Sequence, residues 1–167
     1  DRSNVQDGSI IHVSRPYPGN DAGWATVLGE DVVVGHKVAL HGCTQDANTY
    51  ANAGWRDLAD EQKFLLLLPD QPAATQWLNS CWNWSKADEA TRDHGEARSI
   101  LSMVEYLRRT RSVDANRIFV DGLSAGGWLT SELLAAYPDV FAGGATHAGG
   151  PAYCSAVERP WWDFFGN

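Results

Sequence analysis

Apolar residues fall along this chain in two rhythms, and each rhythm predicts an element. Residues 64–68 form a continuous apolar run, residues 31–40 a β-branched run around Gly35, and Ile118-Phe119-Val120 a third. Such runs are the composition of buried strands. Ile100, Met103, Val104 and Leu107 recur at helical spacing and predict a helix over residues 96–109. Residues 125–137, rich in Ala and Leu and stopped by Pro138, predict a second helix. Residues 49–62 predict another, with Tyr50, Trp55, Leu58 and Ala59 as a partial apolar face. Residues 141–147 read as a further strand and residues 10–13 as a short one, while residues 15–23 read as loop. Residues 71–93 form a long irregular segment, and one this long inside a domain usually carries function. Strands alternating with helices mean a parallel sheet with crossover helices. No repeat or low-complexity linker divides residues 1–167, which are expected to form a single domain.

The residues with chemistry collect where these strands end. His41-Gly42-Cys43 ends one strand, Pro69-Asp70 another, Ser124 a third and His147 a fourth. In open α/β sheets, ligands gather at those carboxyl ends. Gly122-Leu123-Ser124-Ala125-Gly126 is the G-x-S-x-G pattern of a nucleophile elbow, set between a predicted strand and a predicted helix. The spacing has a physical reason. A sharp strand-to-helix turn lifts the hydroxyl clear of the sheet, and it presses the two elements too close for side chains at the flanking positions. Ser124 is therefore the expected nucleophile.

The N–H groups of Cys43 and Ala125 are the candidate oxyanion donors, the alternative for residues 41–43 being an ordinary strand-to-loop turn. His41 is expected to pack beneath the elbow rather than act as a base. Cys43 and Cys81 both lie in strand-end loops, either bridged or as two free buried thiols. Trp82 and Trp84 either wall an acyl pocket or pack their loop down. His147 is the histidine best placed to take the serine proton, oriented by Asp70, Asp121 or Asp163. The competing reading makes His147 a polar residue at a strand end.

Composition narrows the partners. The chain carries net charge -8 and eight Trp, with a pI of about 4.9. That acidity argues against nucleic acid and anionic membrane surfaces. No apolar run approaches the ~20 residues of a membrane span. Three Cys without a C-x-x-C pair, and no clustered His, give no metal site, and no cofactor is expected.

Taken together, His41-Gly42-Cys43-Thr44-Gln45, Gly54-Trp55, Leu58-Ala59-Asp60, Cys81-Trp82-Asn83-Trp84, Gly95-Glu96 with Ser99-Ile100, and Gly122 to Gly127 resemble the polyhydroxybutyrate depolymerase family of esterases. That family is related to the feruloyl and acetyl xylan esterases. The likeness runs from about Val38 to Cys154. It implies a secreted serine esterase with the α/β-hydrolase fold, a mostly parallel sheet with helices on both faces. It also implies Ser124 as nucleophile, Cys43 and Ala125 as oxyanion donors, a Cys43–Cys81 disulfide, and a substrate contact from Trp82 or Trp84. In the family the triad acid and histidine follow on later strands, beyond Asn167. The expectation is thus a fold whose C-terminal strands are missing and a triad left incomplete. Residues 1–35 do not look like the family's usual opening strands.

The expected substrates are short-chain acyl, hydroxybutyrate, or feruloyl- and acetyl-polysaccharide esters. An alternative from another class is a non-catalytic remnant that holds a glycan or polyester in a tryptophan-lined cleft. A sheet edge left open near Ala145, with the aromatic run Trp161 to Phe165 beside it in sequence, adds self-association as an expected mode.

Overall fold

Leu65, Leu66, Leu67 and Leu68 are all buried. A strand can bury successive side chains only when both faces of its sheet are covered. The computed structural model describes residues 11–12, 15–17, 20–28, 35–71 and 80–153, and it supplies those two covers. The strands are β1 (Ile11–His12), β2 (Arg15–Tyr17), β3 (Asn20–Leu28), β4 (His36–Leu40), β5 (Leu65–Asp70), β6 (Ile118–Leu123) and β7 (Gly143–His147). The main sheet runs β1-β3-β5-β4-β6-β7, and β2 pairs with β3. Strands β5, β4, β6 and β7 are parallel, and β3 joins β5 antiparallel.

The helices are α1 (Ala47–Tyr50), α2 (Arg56–Gln62), α3 (Ala87–Ala90), α4 (Gly95–Thr110) and α5 (Ala125–Ala136). On one face Val38, Leu40, Leu65, Leu67, Ile118 and Val120 pack with the apolar sides of α4 and α5. On the other Ala39, Leu66 and Leu68 meet Tyr50, Ala51 and Ala59 from the α1–α2 region. This is the expected α/β architecture.

Three expectations change. Residues 15–23, read as loop, hold β2 and the start of β3. Turn-forming residues are tolerated there because the two strands pair with each other, Arg15 with Gly23 and Tyr17 with Asn20, while β3 gains a second ladder from β5, pairing Trp24 with Asp70 through to Leu28 with Leu66. For the same reason β5 runs through Pro69-Asp70, where a stop was expected. The helix expected over 49–62 begins at Ala47, where Asp46 caps the N–H of Thr49 at 2.6 Å. It then passes through a π-helical turn, Ala51–Trp55, and breaks at Gly54, whose φ of 104° suits glycine. The strand expected over 31–40 is described from His36 onward. Residues 31–34 lie outside the described residues, as do Cys154, Asp163 and residues 161–165.

Candidate active site

Ser124 stands between β6 and α5, exposed, with φ 55° and ψ −118°. An L-residue rarely occupies that region, and it needs support from its surroundings. The glycines supply the room. A Cβ on Gly122 would collide with the Gly126 carbonyl, and one on Gly126 with the carbonyls of Leu40 and His41. The elbow is thus wedged against the end of β4. The Ser124 N–H donates to the His147 carbonyl at 2.8 Å, tying the turn to β7. The Thr130 hydroxyl donates to the Gly126 carbonyl at 2.8 Å in the buried first turns of α5.

The turn after β4 lies beside it. A Cβ on Gly42 would stand 3.4 Å from Ser124 Cβ. The Gly42 N–H donates to Gln45 Oε1 at 2.8 Å. Its carbonyl accepts from the Gln45 N–H at 3.3 Å. Among the described residues, the N–H groups of Cys43 and Ala125 have no hydrogen-bond partner. The two N–H groups named as candidate oxyanion donors are thus unpartnered near an exposed serine, which is what such donors require.

His41 is fully buried beneath this turn. Its Nδ1 donates to the Gly42 carbonyl at 2.8 Å, and its Nε2 accepts from the Gln71 N–H at 3.2 Å. That pattern requires the neutral ring with its proton on Nδ1. The packing role expected for His41 is what the structure shows. Cys43 and Cys81 are bonded to each other, which pins the irregular segment to the turn after β4.

Trp82 and Trp84 belong to the core rather than to an open wall. They are 5% and 9% exposed. The Trp82 indole N–H donates to the His41 carbonyl at 2.9 Å, and Trp84 stacks on Trp128 with centroids 4.4 Å apart. Of the two readings open to them, packing the loop down is the one the geometry fits.

His147 lies exposed at the end of β7, in register with Leu123. Its backbone touches Ser124, but among the described residues its imidazole and the Ser124 hydroxyl have no hydrogen-bond partner. Of its candidate acids, Asp121 is buried and paired with Lys37 at 2.5 Å. Asp70 accepts from the Ala47 N–H at 3.3 Å and stands 3.5 Å from His41 Nε2. The structure therefore brings together Ser124, Cys43 and Ala125, and among the described residues no relay through His147 is completed.

Glu96 entered the sequence reading only through the family likeness, with no role of its own. Only 6% exposed, it accepts from the Asn83 N–H at 2.7 Å, from Asn83 Nδ2 at 2.8 Å and from the Gln71 side-chain amide. Burial raises its carboxyl to about 7, against the Asn83 hydrogen bonds that hold it down. A signal was present. Glu96 lies four residues before Ile100, in phase with the apolar stripe of α4, where a charge is out of place unless it has partners.

The geometry agrees with the comparisons. Residues 29–157 match the family model for esterase PHB depolymerase. A poly(3-hydroxyalkanoate) depolymerase C from Paucimonas lemoignei is 46% identical over 118 residues, 71% of this chain and 28% of that protein. Feruloyl esterase B from Thermothelomyces thermophilus is 35% identical over 121 residues, 71% of this chain and 40% of its own length. Among solved structures, the acetyl xylan esterase from Aspergillus awamori superposes with a TM-score of 0.78 at 26% identity. That match covers 89% of this chain and 54% of the esterase. The chain thus spans about a quarter to two-fifths of the length of these two curated relatives.

Proposed function

The chain belongs to the esterase PHB depolymerase family, and from that premise we propose that it carries the nucleophile and oxyanion hole of a serine carboxylic ester hydrolase. One observation carries the reading: an exposed serine in a strained strand-to-helix turn, beside two unpartnered backbone N–H groups. Ser124 Oγ attacks the ester carbonyl as its proton passes to a general base, which returns it to the oxygen of the leaving alcohol. The tetrahedral oxyanion is held by the N–H groups of Cys43 and Ala125, and its collapse expels the alcohol and leaves an acyl-enzyme. Water then releases the acid.

The substrates proposed are short-chain acyl, hydroxybutyrate or feruloyl- and acetyl-polysaccharide esters, and the relatives' names, a poly(3-hydroxyalkanoate) depolymerase, an acetylxylan esterase and a feruloyl esterase, support that range. The alternative of a glycan-holding remnant loses the wall it depended on, because Trp82 and Trp84 are buried. The Cys43–Cys81 disulfide supports a secreted protein, since such bonds persist in oxidising compartments. Among the described residues, no helix is long and apolar enough to cross a membrane. Self-association through the exposed residues of β7 also belongs to this reading.

The test is release of p-nitrophenol from its acetate and butyrate esters, with fluorophosphonate labelling and peptide mapping. Ser124→Ala should abolish both turnover and label. Label on another serine, or full turnover by Ser124→Ala, rejects the assignment. His147→Ala separates the two readings of that position: a base lost with the fold intact, or activity retained.

A further inference from the structure

Glu96 lies outside the group formed by Ser124, Cys43 and Ala125, yet two paths lead from its carboxylate to one peptide. In the first, Glu96 holds the Gln71 side chain. The backbone N–H of Gln71 donates to His41 Nε2 at 3.2 Å. That bond keeps the ring proton on Nδ1, which donates to the Gly42 carbonyl at 2.8 Å. In the second, Glu96 holds Asn83 by its backbone and its side chain. Asn83 follows Trp82, whose indole holds the His41 carbonyl at 2.9 Å, and Cys81, which is bonded to Cys43. The first path ends on the carbonyl of the peptide that joins Gly42 to Cys43, and the second flanks that peptide, at the His41 carbonyl before it and the Cys43 side chain after it.

That peptide is trans. In a planar trans peptide the carbonyl and the following N–H point in opposite directions. A Gly42 carbonyl held by His41 therefore sends the Cys43 N–H away from His41, and that N–H is one of the two unpartnered donors at the elbow. The arrangement has a competitor. Asp70 Oδ1 stands 3.5 Å from the same His41 Nε2. A proton on Nε2 would turn to Asp70, deprive the Gln71 N–H of its acceptor and leave Nδ1 with no hydrogen for Gly42.

We infer that Glu96 is a positioning residue for the oxyanion hole: by clamping Gln71 and Asn83 it selects the Nδ1–H tautomer of His41 and so fixes the plane of the Gly42–Cys43 peptide. The inference rests on the esterase reading for its catalytic meaning. Its first readout does not depend on turnover.

That readout is the imidazole nitrogen spectrum of the ¹⁵N-labelled chain. The wild-type protein should show His41 neutral with its proton on Nδ1. Glu96→Ala should move it to the Nε2–H form or a mixture, and shift the Cys43 amide resonance. Gln71→Ala keeps the backbone N–H but severs the first path, and should give a smaller shift of the same sign. It also serves if Glu96→Ala does not fold.

The second readout is hydrolysis of p-nitrophenyl butyrate. Glu96→Ala should lower kcat roughly 10–100-fold, a part of what loss of a whole oxyanion donor removes, with KM little changed. A wild-type ring with its proton on Nε2 overturns the inference. So does a folded Glu96→Ala protein, or a folded Gln71→Ala protein where Glu96→Ala does not fold, that keeps the Nδ1–H tautomer and the Cys43 amide position. If the tautomer behaves as stated and the wild-type chain hydrolyses nothing, the positioning relay stands and the esterase reading falls.

Discussion

Ser124 holds a backbone conformation that it would leave if its neighbours allowed, and glycine is what lets them crowd it. Gly126→Ala puts a methyl group against two carbonyl oxygens at the end of β4. The expected cost is about 1–3 kcal/mol, in the range of other overpacked sites, with loss of fluorophosphonate labelling at Ser124. Denaturant unfolding and labelling together measure it, and a variant of unchanged stability would mean that the elbow has slack. This part of the site was legible in the sequence because its causes are local: three glycines and a serine within six positions, between two readable elements. Glu96 was not legible in the same way, because its partners are 13 and 25 positions distant. Its titration gives a second test at this scale. The folded-state value, raised by burial to about 7 from 4.5, means that the native state holds this proton more tightly than the unfolded chain does. The associated stability is fully present below the unfolded value and is lost as pH rises through about 7. Relative to Glu96→Gln, which does not titrate there, the wild-type protein should lose on the order of 2–3 kcal/mol between pH 4.5 and 7. Unfolding curves across that range for both proteins read the difference, and parallel curves would rule it out.

Elements were legible where period or length spoke for them, and not where pairing decided. The helix of residues 96–109 is α4, Gly95–Thr110, because its apolar stripe repeats from Ala97 to Leu107, about three turns. Residues 15–23 looked like loop because Pro, Gly, Asn and Asp dominate them, and only the pairing of β2 with β3 makes part of them strand. The break at Gly54 was equally hidden, since a positive φ leaves no mark beyond the glycine itself. The Cys43–Cys81 bond joins two such elements: the turn after β4 and the segment before α4. It spans 38 positions, and in the loop-entropy model a bridge of that size contributes about 4 kcal/mol. Cys43→Ser with Cys81→Ser should lose stability of that order, measured by denaturant unfolding, and non-reducing peptide mapping should recover the two cysteines in one fragment pair. Free thiol at Cys43 in the native protein contradicts the bond.

Across the whole molecule, the described sheet is covered on both faces at its centre and open along β7, where Gly144, Ala145, Thr146 and His147 are exposed. Exposed, small and apolar edges recruit other strands. Light scattering at increasing concentration should therefore show self-association of the 167-residue chain, weakened by Ala145→Lys. A monomer at every concentration removes that part of the reading. The order of the strands was the least legible feature. Nothing local announces that β4 pairs with β6 as well as with β5, for β5 and the helices α1 to α4 lie between β4 and β6 in the sequence. That connectivity bears on how the chain is made. The ladder between β4 and β6 cannot close until residues 118–123 are available, whereas the Cys43–Cys81 bond lies wholly within the chain that precedes them. In vectorial synthesis the brace on the turn after β4 can therefore form before the strand that carries Ser124 arrives, so an order of assembly is written into the connectivity.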